Sequence, residues 1–243
     1  MTIRVGIGGW VYPPWRGAFY PKGLRQAEEL AYASRHVTAI EINGTFYRTQ
    51  TPASYRRWHD ETPDDFVFSL KGPRYVTHRS DLVEVGPSLE RFLTSGLTEL
   101  KGKLGPILWQ FAPMIPIDDG AFAGFLELLP RTLDNWPLRH VVEVPQAGPE
   151  MLESLRQNRV AVALIDDPKR ALIDEPTGDF VYARLRRSVQ REETGYAPEA
   201  LDSWAAKVRQ WAVERDCFVY FINGAKLRAP AAAQALIERL RKA

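Results

Sequence analysis

Glu41 and Asn43 alternate with Ile40 and Ile42 in the stretch AIEINGTFY, Ala39–Tyr47. Read as a strand, this stretch sends Glu41, Asn43, Thr45 and Tyr47 to one face and Ile40, Ile42 and Phe46 to the other. A strand that buries isoleucine on one side and carries a carboxylate and an amide on the other has a polar site to serve. The pattern recurs: other apolar β-type runs end in Trp10, Lys71, Gln110, Glu143, Asp166, Arg184 with Arg186, and Asn223. Glu143 lies between Val142 and Val144 and faces away from both. A charge in that setting costs several kcal/mol unless it is paired or serves a site.

Two arrangements accommodate these groups. Glu41, Glu143 and Asp166 can neutralise Lys71, Arg184 and Arg186 in a structural lattice, or the same groups can bind substrate. In the second case Glu41, Lys71 and Glu143 are the expected catalytic groups. Glu41 and Glu143 would handle protons or a divalent metal, while Lys71, Arg184 and Arg186 clamp anionic or hydroxyl groups and Asn43 and Gln110 orient them. A glycosidase pair needs a carboxyl separation of about 5 or about 6.5–9.5 Å, and neighbouring cations depress the carboxyl pKa that a general acid needs raised. Three carboxylates suit a hard cation such as Mg²⁺ or Mn²⁺. His36, His59, His78 and His140 have no zinc-ligand spacing. Trp10, Trp15 and Tyr47 are aromatic candidates for stacking on a sugar ring or base.

The elements that must position these groups come next. Eight apolar β-type runs occur at Ile3–Trp10, Ala39–Phe46, Phe66–Gly72, Pro106–Phe111, His140–Val144, Val160–Asp166, Phe180–Leu185 and Phe218–Ile222. Helical periodicity separates most of them. Leu89, Phe92, Leu93, Leu97, Leu100 and Leu104 predict one long amphipathic helix, and shorter ones follow at Phe122–Leu129, Met151–Leu155, Leu201–Trp211 and Leu236–Leu240. The helix after the first run starts near Leu24, leaving Val11–Gly23 as a long loop, and Asp167–Asp179 reads as a loop or single turn. Strand–helix alternation at about thirty residues per unit predicts a parallel α/β protein, and eight units in 243 residues predict a single (β/α)₈ TIM-like barrel domain over residues 1–243. A doubly wound open sheet is the alternative. In a barrel the site lies at the C-terminal strand ends, where the polar residues above fall.

Composition narrows the partners. Lys and Arg total 32 and Asp and Glu 30, so the net charge is +2. That excess makes no strong field for nucleic acid or an anionic membrane, and the four arginines of RLRRSVQREE have three acids, Asp179, Glu192 and Glu193, within or just beyond the stretch. GIGGW lacks the third glycine and the following helix of a dinucleotide fingerprint. Cys217 is the lone cysteine, which excludes a disulfide framework and fits a reducing compartment. No apolar run approaches the ~18 residues of a membrane span, and MTIRVGIGGW enters a strand without a signal-peptide pattern. The expected location is cytoplasmic and the expected partner a small-molecule ligand.

The segments VGIGGWVYPPWRGAFYPKGL, AIEINGTFYRTQTPASYRRW, FVFSLKGPRYVTH, KLGPILWQFAP, VVEV, FVYARL and VYFINGAKLRAP occur in order along the chain. In these it resembles the domain-of-unknown-function 72 family, also called YecE-like proteins. Members of that family are TIM-like barrels for which a distant likeness to sugar isomerases has been suggested, so the resemblance implies the fold far more than a reaction. It retains Trp10, Trp15, Glu41, Asn43, Tyr47, Lys71, Gln110, Glu143, Arg184 and Asn223 of the family pattern. It departs from that pattern at Val144-Pro145-Gln146, where Arg-His-Pro is usual, and at Arg186-Arg187, where His-Gly is usual. Asn223-Gly224 stands for Asn-Asp, and Leu227-Arg228-Ala229-Pro230 for Gly-His-Ala-Pro.

The sequence therefore predicts an enzyme acting on a small polar or anionic carbohydrate-like substrate at the C-terminal barrel mouth, with Trp10, Trp15, Asn43, Tyr47, Gln110, Asp166, Arg184, Arg186 and Asn223 binding it. A non-catalytic ligand- or partner-binding barrel, favoured by the missing family histidines, is one alternative. A metal-dependent phosphodiesterase or nucleic-acid-processing enzyme is another.

Overall fold

Eight parallel strands, Ile3–Gly8, Ala39–Ile42, Val67–Lys71, Leu104–Gln110, His140–Glu143, Ala161–Asp166, Phe180–Leu185 and Asp216–Phe221, close into a barrel. Each pairs with its neighbours in sequence, and the first closes the ring on the eighth, with Val5 opposite Val219 and Ile7 opposite Phe221. The computed structural model describes residues 1–79, 81–82, 84–169 and 172–242. No helix among them is long and apolar enough to cross a membrane.

Period-two alternation divides the apolar residues into two cores. Val5, Ile7, Ile40, Ile42, Phe68 and Leu70 point outward and pack beneath the helices. Ala39, Leu108, Val141, Ala163, Ile165, Tyr182, Tyr220 and Ile222 fill the interior. Burial of these faces from water supplies the main drive to fold. Within the barrel Ser69 Oγ and Tyr220 OH lie 2.7 Å apart, so both hydroxyls are satisfied without water. At the base, Asp216 accepts from the Thr2 backbone at 2.8 Å and from Arg139 Nη1 at 2.9 Å, tying the chain's start to the fifth and eighth strands.

Several boundaries differ from the sequence expectation. The second strand stops at Ile42, and Gly44–Tyr47 coils into one helical turn. Thr45 therefore leaves the Glu41 face and donates to the carbonyls of Ile42 at 3.0 Å and Lys71 at 2.7 Å. The first strand ends at Gly8, because Gly9 takes a left-handed φ of 74° that turns the chain out of the sheet. The long helix through Leu89–Leu104 is two pieces, an α-helix at Gly86–Leu93 and a 3₁₀ segment at Leu97–Lys103. Gly96 breaks it with φ 94°, where a Cβ would sit 2.6 Å from Pro52, and Leu104 already belongs to the fourth strand. An unforeseen hairpin pairs Thr132–Leu133 with Trp136–Pro137 through Asp134 and Asn135, both at positive φ. That is the backbone of a tight primed turn. No helix occurs among the described residues of 167–179; residues 170 and 171 of that connection lie outside them.

Two glycines test the packing in opposite directions. A Cβ on Gly6 would lie 2.0 Å from the carbonyl oxygen of Ala39 on the neighbouring strand, which backbone pairing holds in place. Gly6→Ala is expected to destabilise by about 3 kcal/mol or more. Gly124, inside the helix Asp119–Glu127, has nothing within 4 Å of such a Cβ, so Gly124→Ala is expected to stabilise by about 0.5–1 kcal/mol. Urea unfolding of both variants checks the pair of signs.

Candidate functional site

Alternation carries one inward ring of side chains to the C-terminal ends of the strands: Gly8, Glu41, Lys71, Gln110, Glu143, Ile165, Arg184 and Ile222. Five of the eight are polar or charged. Glycine on the first strand leaves space there rather than filling it.

Arg184 spans the ring. Its Nε and Nη2 donate to the two oxygens of Glu41 at 2.9 and 2.7 Å, and its Nη1 pairs with Glu143. Tyr182 OH adds a bond to Glu41 Oε2 at 2.9 Å. Glu143 also accepts from Arg186 Nη2 at 2.8 Å and from Gln110 Nε2 at 2.7 Å. All four charges are buried, Glu41 at 0% exposure. Burial alone would raise the Glu143 carboxyl, but the Arg184 and Arg186 guanidiniums and the Gln110 amide outweigh it and hold it at about 2. Every oxygen of both carboxylates thus accepts at least one bond, in the charge-assisted contacts that guanidiniums favour.

Lys71 stands apart from this lattice. It is 8% exposed, and its Nζ lies 3.8 Å above the Phe46 ring with no hydrogen-bond or ion-pair partner among the described residues. Burial, reinforced by the positive charge of Arg184, outweighs the attraction of Glu41 and Glu143 and pulls its pKa down to about 8.

Above the ring opens a cavity of about 600 Å³. Trp10, Trp15, Asn43, Tyr47, Lys71, Gln110, Arg184 and Asn223 line it, so the structure brings eight of the candidate residues to one mouth. Among the described residues, its charged lining groups are all cations: Arg48, Lys71, Arg184 and Lys226. Glu41 and Glu143 lie beneath it and do not line it. Trp10 packs edge-on against Trp58 at 5.4 Å, forming an apolar wall. Tyr47 stands at the rim, 70% exposed, on the helical turn rather than on the strand. Asn223 adopts φ 58° in the turn after the eighth strand.

Other expected members are elsewhere. Asp166 has the opposite parity to inward-facing Ile165, so it leaves the mouth and accepts from Arg187 Nε at 2.6 Å. Arg186 is buried behind Glu143, with Nη1 3.5 Å from Asp167, and does not reach the cavity. Trp15, by contrast, borders the cavity but is fully buried, its Nε1 donating to the Lys226 carbonyl at 3.0 Å to pin the first loop. The three carboxylates offered for a metal do not converge, and among the described residues no three of His, Cys, Asp and Glu form a metal-binding group. Arg48 and Lys226 are lining cations that the strand-end pattern missed, because both sit in connections where no periodicity points. Burial lowers the Lys226 pKa as well, and its Nζ lies 4.6 Å from the Tyr12 ring centre.

The lattice and the lone lysine respond differently to substitution. Arg184→Met leaves Glu41 and Glu143 buried without their shared counter-charge and is expected to cost about 3–5 kcal/mol at neutral pH. That loss shrinks in acid as the carboxyls take up protons. Lys71→Met acts with the opposite sign. The lysine titrates near 8 in the folded chain against an ordinary 10.5, so wild-type stability climbs with pH across that window and lacks this contribution below it. Lys71→Met is expected to be more stable than wild type by about 1–3 kcal/mol at pH 7, with the difference closing towards pH 10.5. Denaturant titrations at a series of pH values measure both effects.

Residues 4–243 match the family described as protein of unknown function DUF72. The chain is 23% identical to the UPF0759 protein YecE of Escherichia coli strain K12, over 99% of this chain and 93% of that one. A DUF72 family protein from Thermotoga maritima superimposes with a TM-score of 0.78 at 22% identity, covering 100% of both chains. D-psicose 3-epimerase shares the fold with a TM-score of 0.57 at 13% identity, over 100% of this chain and 96% of that one. With the match running from the first barrel strand to the last helix, the chain belongs to the DUF72 family.

Proposed function

We propose that the barrel mouth is the site of an enzyme acting on a small anionic carbohydrate-like substrate in the cytoplasm. The observation that carries this reading is the sign of the cavity. Its lining cations beyond the neutralised lattice, among the described residues, are Arg48, Lys71 and Lys226, while Arg184 is balanced with Arg186 against the ring's two carboxylates below. A concave site with low-dielectric walls and one sign of charge concentrates ligands of the other sign. Asn43, Gln110 and Asn223 supply neutral hydrogen-bonding groups suited to hydroxyls, and Trp10 supplies an apolar face for a ring or carbon chain. The volume of about 600 Å³ suits a small molecule. The likeness to D-psicose 3-epimerase concerns architecture, and architecture does not transmit chemistry.

In this reading Glu41 and Glu143 are positioning residues. Each of their oxygens is engaged by guanidinium, amide or phenol donors, so they hold the ring in place and set its charge. Lys71 is the group that meets substrate in a reactive state. The same engagement favours a second reading, a barrel that binds such an anion without turning it over.

Thermal unfolding with added ligands tests the substrate class. Glycerol 3-phosphate and sugar phosphates are expected to raise the Tm, by roughly 5–10 °C at a hundredfold excess over Kd. The shift is expected to weaken as salt is added. Glycerol and neutral sugars at the same concentration are expected to leave Tm unchanged. Equal shifts from neutral and anionic ligands, or none from either, would overturn the assignment.

A further inference from the structure

A lysine buried for structural reasons alone is normally set against a carboxylate, because an unpaired buried charge is costly. Lys71 bonds none among the described residues: Glu41 and Glu143 attract it from a distance but give their direct contacts to Arg184 and Arg186, and its Nζ faces the Phe46 ring and the cavity. The fold keeps an amine desolvated, next to a guanidinium, and open to the mouth. These are the conditions under which lysine becomes a nucleophile.

We propose that Lys71 condenses with the carbonyl carbon of an anionic, sugar-like aldehyde or ketone to form an imine. This rests on the reading of the mouth as an anion-binding site and adds the reacting group and the functional group it attacks. The nitrogen lone pair of the neutral amine adds to the carbonyl carbon, and the carbonyl π pair moves to oxygen, which takes one of the two amine protons. The resulting carbinolamine loses its hydroxyl and the second amine proton as water, leaving C=N. The net change is amine plus carbonyl giving imine plus water, with no oxidant or reductant. Lys226 and Arg48, on the connections around the mouth, offer charge to the anionic end, while the Trp10–Trp58 wall shields the carbon chain.

The protonation state supports the geometry. With its pKa near 8, about a tenth of Lys71 is neutral at pH 7, against less than about one in a thousand for an ordinary lysine. Other nucleophiles are poorly placed. Cys217 is fully buried on the outward face of the eighth strand, and burial raises its thiol to about 11. Ser69 is sealed inside the barrel against Tyr220.

The test uses the full chain, D-glyceraldehyde 3-phosphate and sodium cyanoborohydride, which reduces an imine to a stable secondary amine. Intact mass and peptide mapping are expected to show one adduct per chain, on Lys71. It is expected to form at least tenfold faster than on exposed Lys22, at a rate that rises through pH 8. Lys71→Arg and Lys71→Met are expected to lose the adduct. Should either variant fail to fold, protection of wild-type Lys71 by glycerol 3-phosphate gives the same answer. Labelling of Lys71 no faster than of Lys22 would overturn the imine proposal. If glycerol 3-phosphate nevertheless raises Tm, the anion site stands without the imine. Selective labelling of Lys71 without any thermal shift would uphold the reactive amine and remove the anion-site reading.

Discussion

Arg184 bonds two glutamates at once, and the rest of the mouth is arranged around that bridge. Glu41 and Glu143 come from the second and fifth strands, which do not pair with each other. Left alone, two buried carboxylates facing one interior would repel each other and lose their hydration. One guanidinium, with Nε and Nη2 on Glu41 and Nη1 on Glu143, relieves both problems. A lysine in its place would offer a point charge without the planar fork. Arg186, Gln110 and Tyr182 complete the coordination, so that losing Arg184 leaves Glu41 without its ion-pair partner in a buried layer.

The consequence for the cavity is one of bookkeeping in charge. Two arginines cancel two glutamates, and the remaining cations face solvent through the opening. The lattice that looks purely structural thereby sets the electrostatic sign of the space above it. It also explains the state of Lys71: with both carboxylates in direct contact with the guanidiniums, the third cation of the ring feels them only from a distance. Structure and reactivity compete for the same two carboxylates here, and the guanidiniums take them.

Much of this was legible in the sequence because burial on two faces imposes period two. Val5 and Ile7, Ile40 and Ile42, and Val142 between His140-Val141 and Glu143 each declare a face, and eight such runs with helices between them declare the barrel. The inward placement of Glu41, Lys71, Gln110, Glu143 and Arg184 follows from the same rule. Asp166 ends a strand too, but its parity opposite Ile165 turns it away from the mouth. Alternation stops short of Thr45 and Tyr47, since Gly44 begins a helical turn there. The partition of the lattice depends on distances between strands far apart in sequence. Arg48 and Lys226 reach the mouth from loops, where placement is set by tertiary packing alone.

The ring closes between its first and last strands, and the loop after the first is fastened to the loop after the last by Trp15 Nε1 on the Lys226 carbonyl. Asn223 and Lys226, which help line the mouth, lie within the final tenth of the chain. Synthesis therefore delivers most of the mouth long before it can hold anything. Until the eighth strand is made, the first has an unpaired edge and the base lacks Asp216. A ribosome-bound chain would expose Lys71 and the glutamates of the ring in an open sheet, without the enclosing wall. Enclosure of the mouth thus waits on the eighth strand rather than accumulating as the barrel grows.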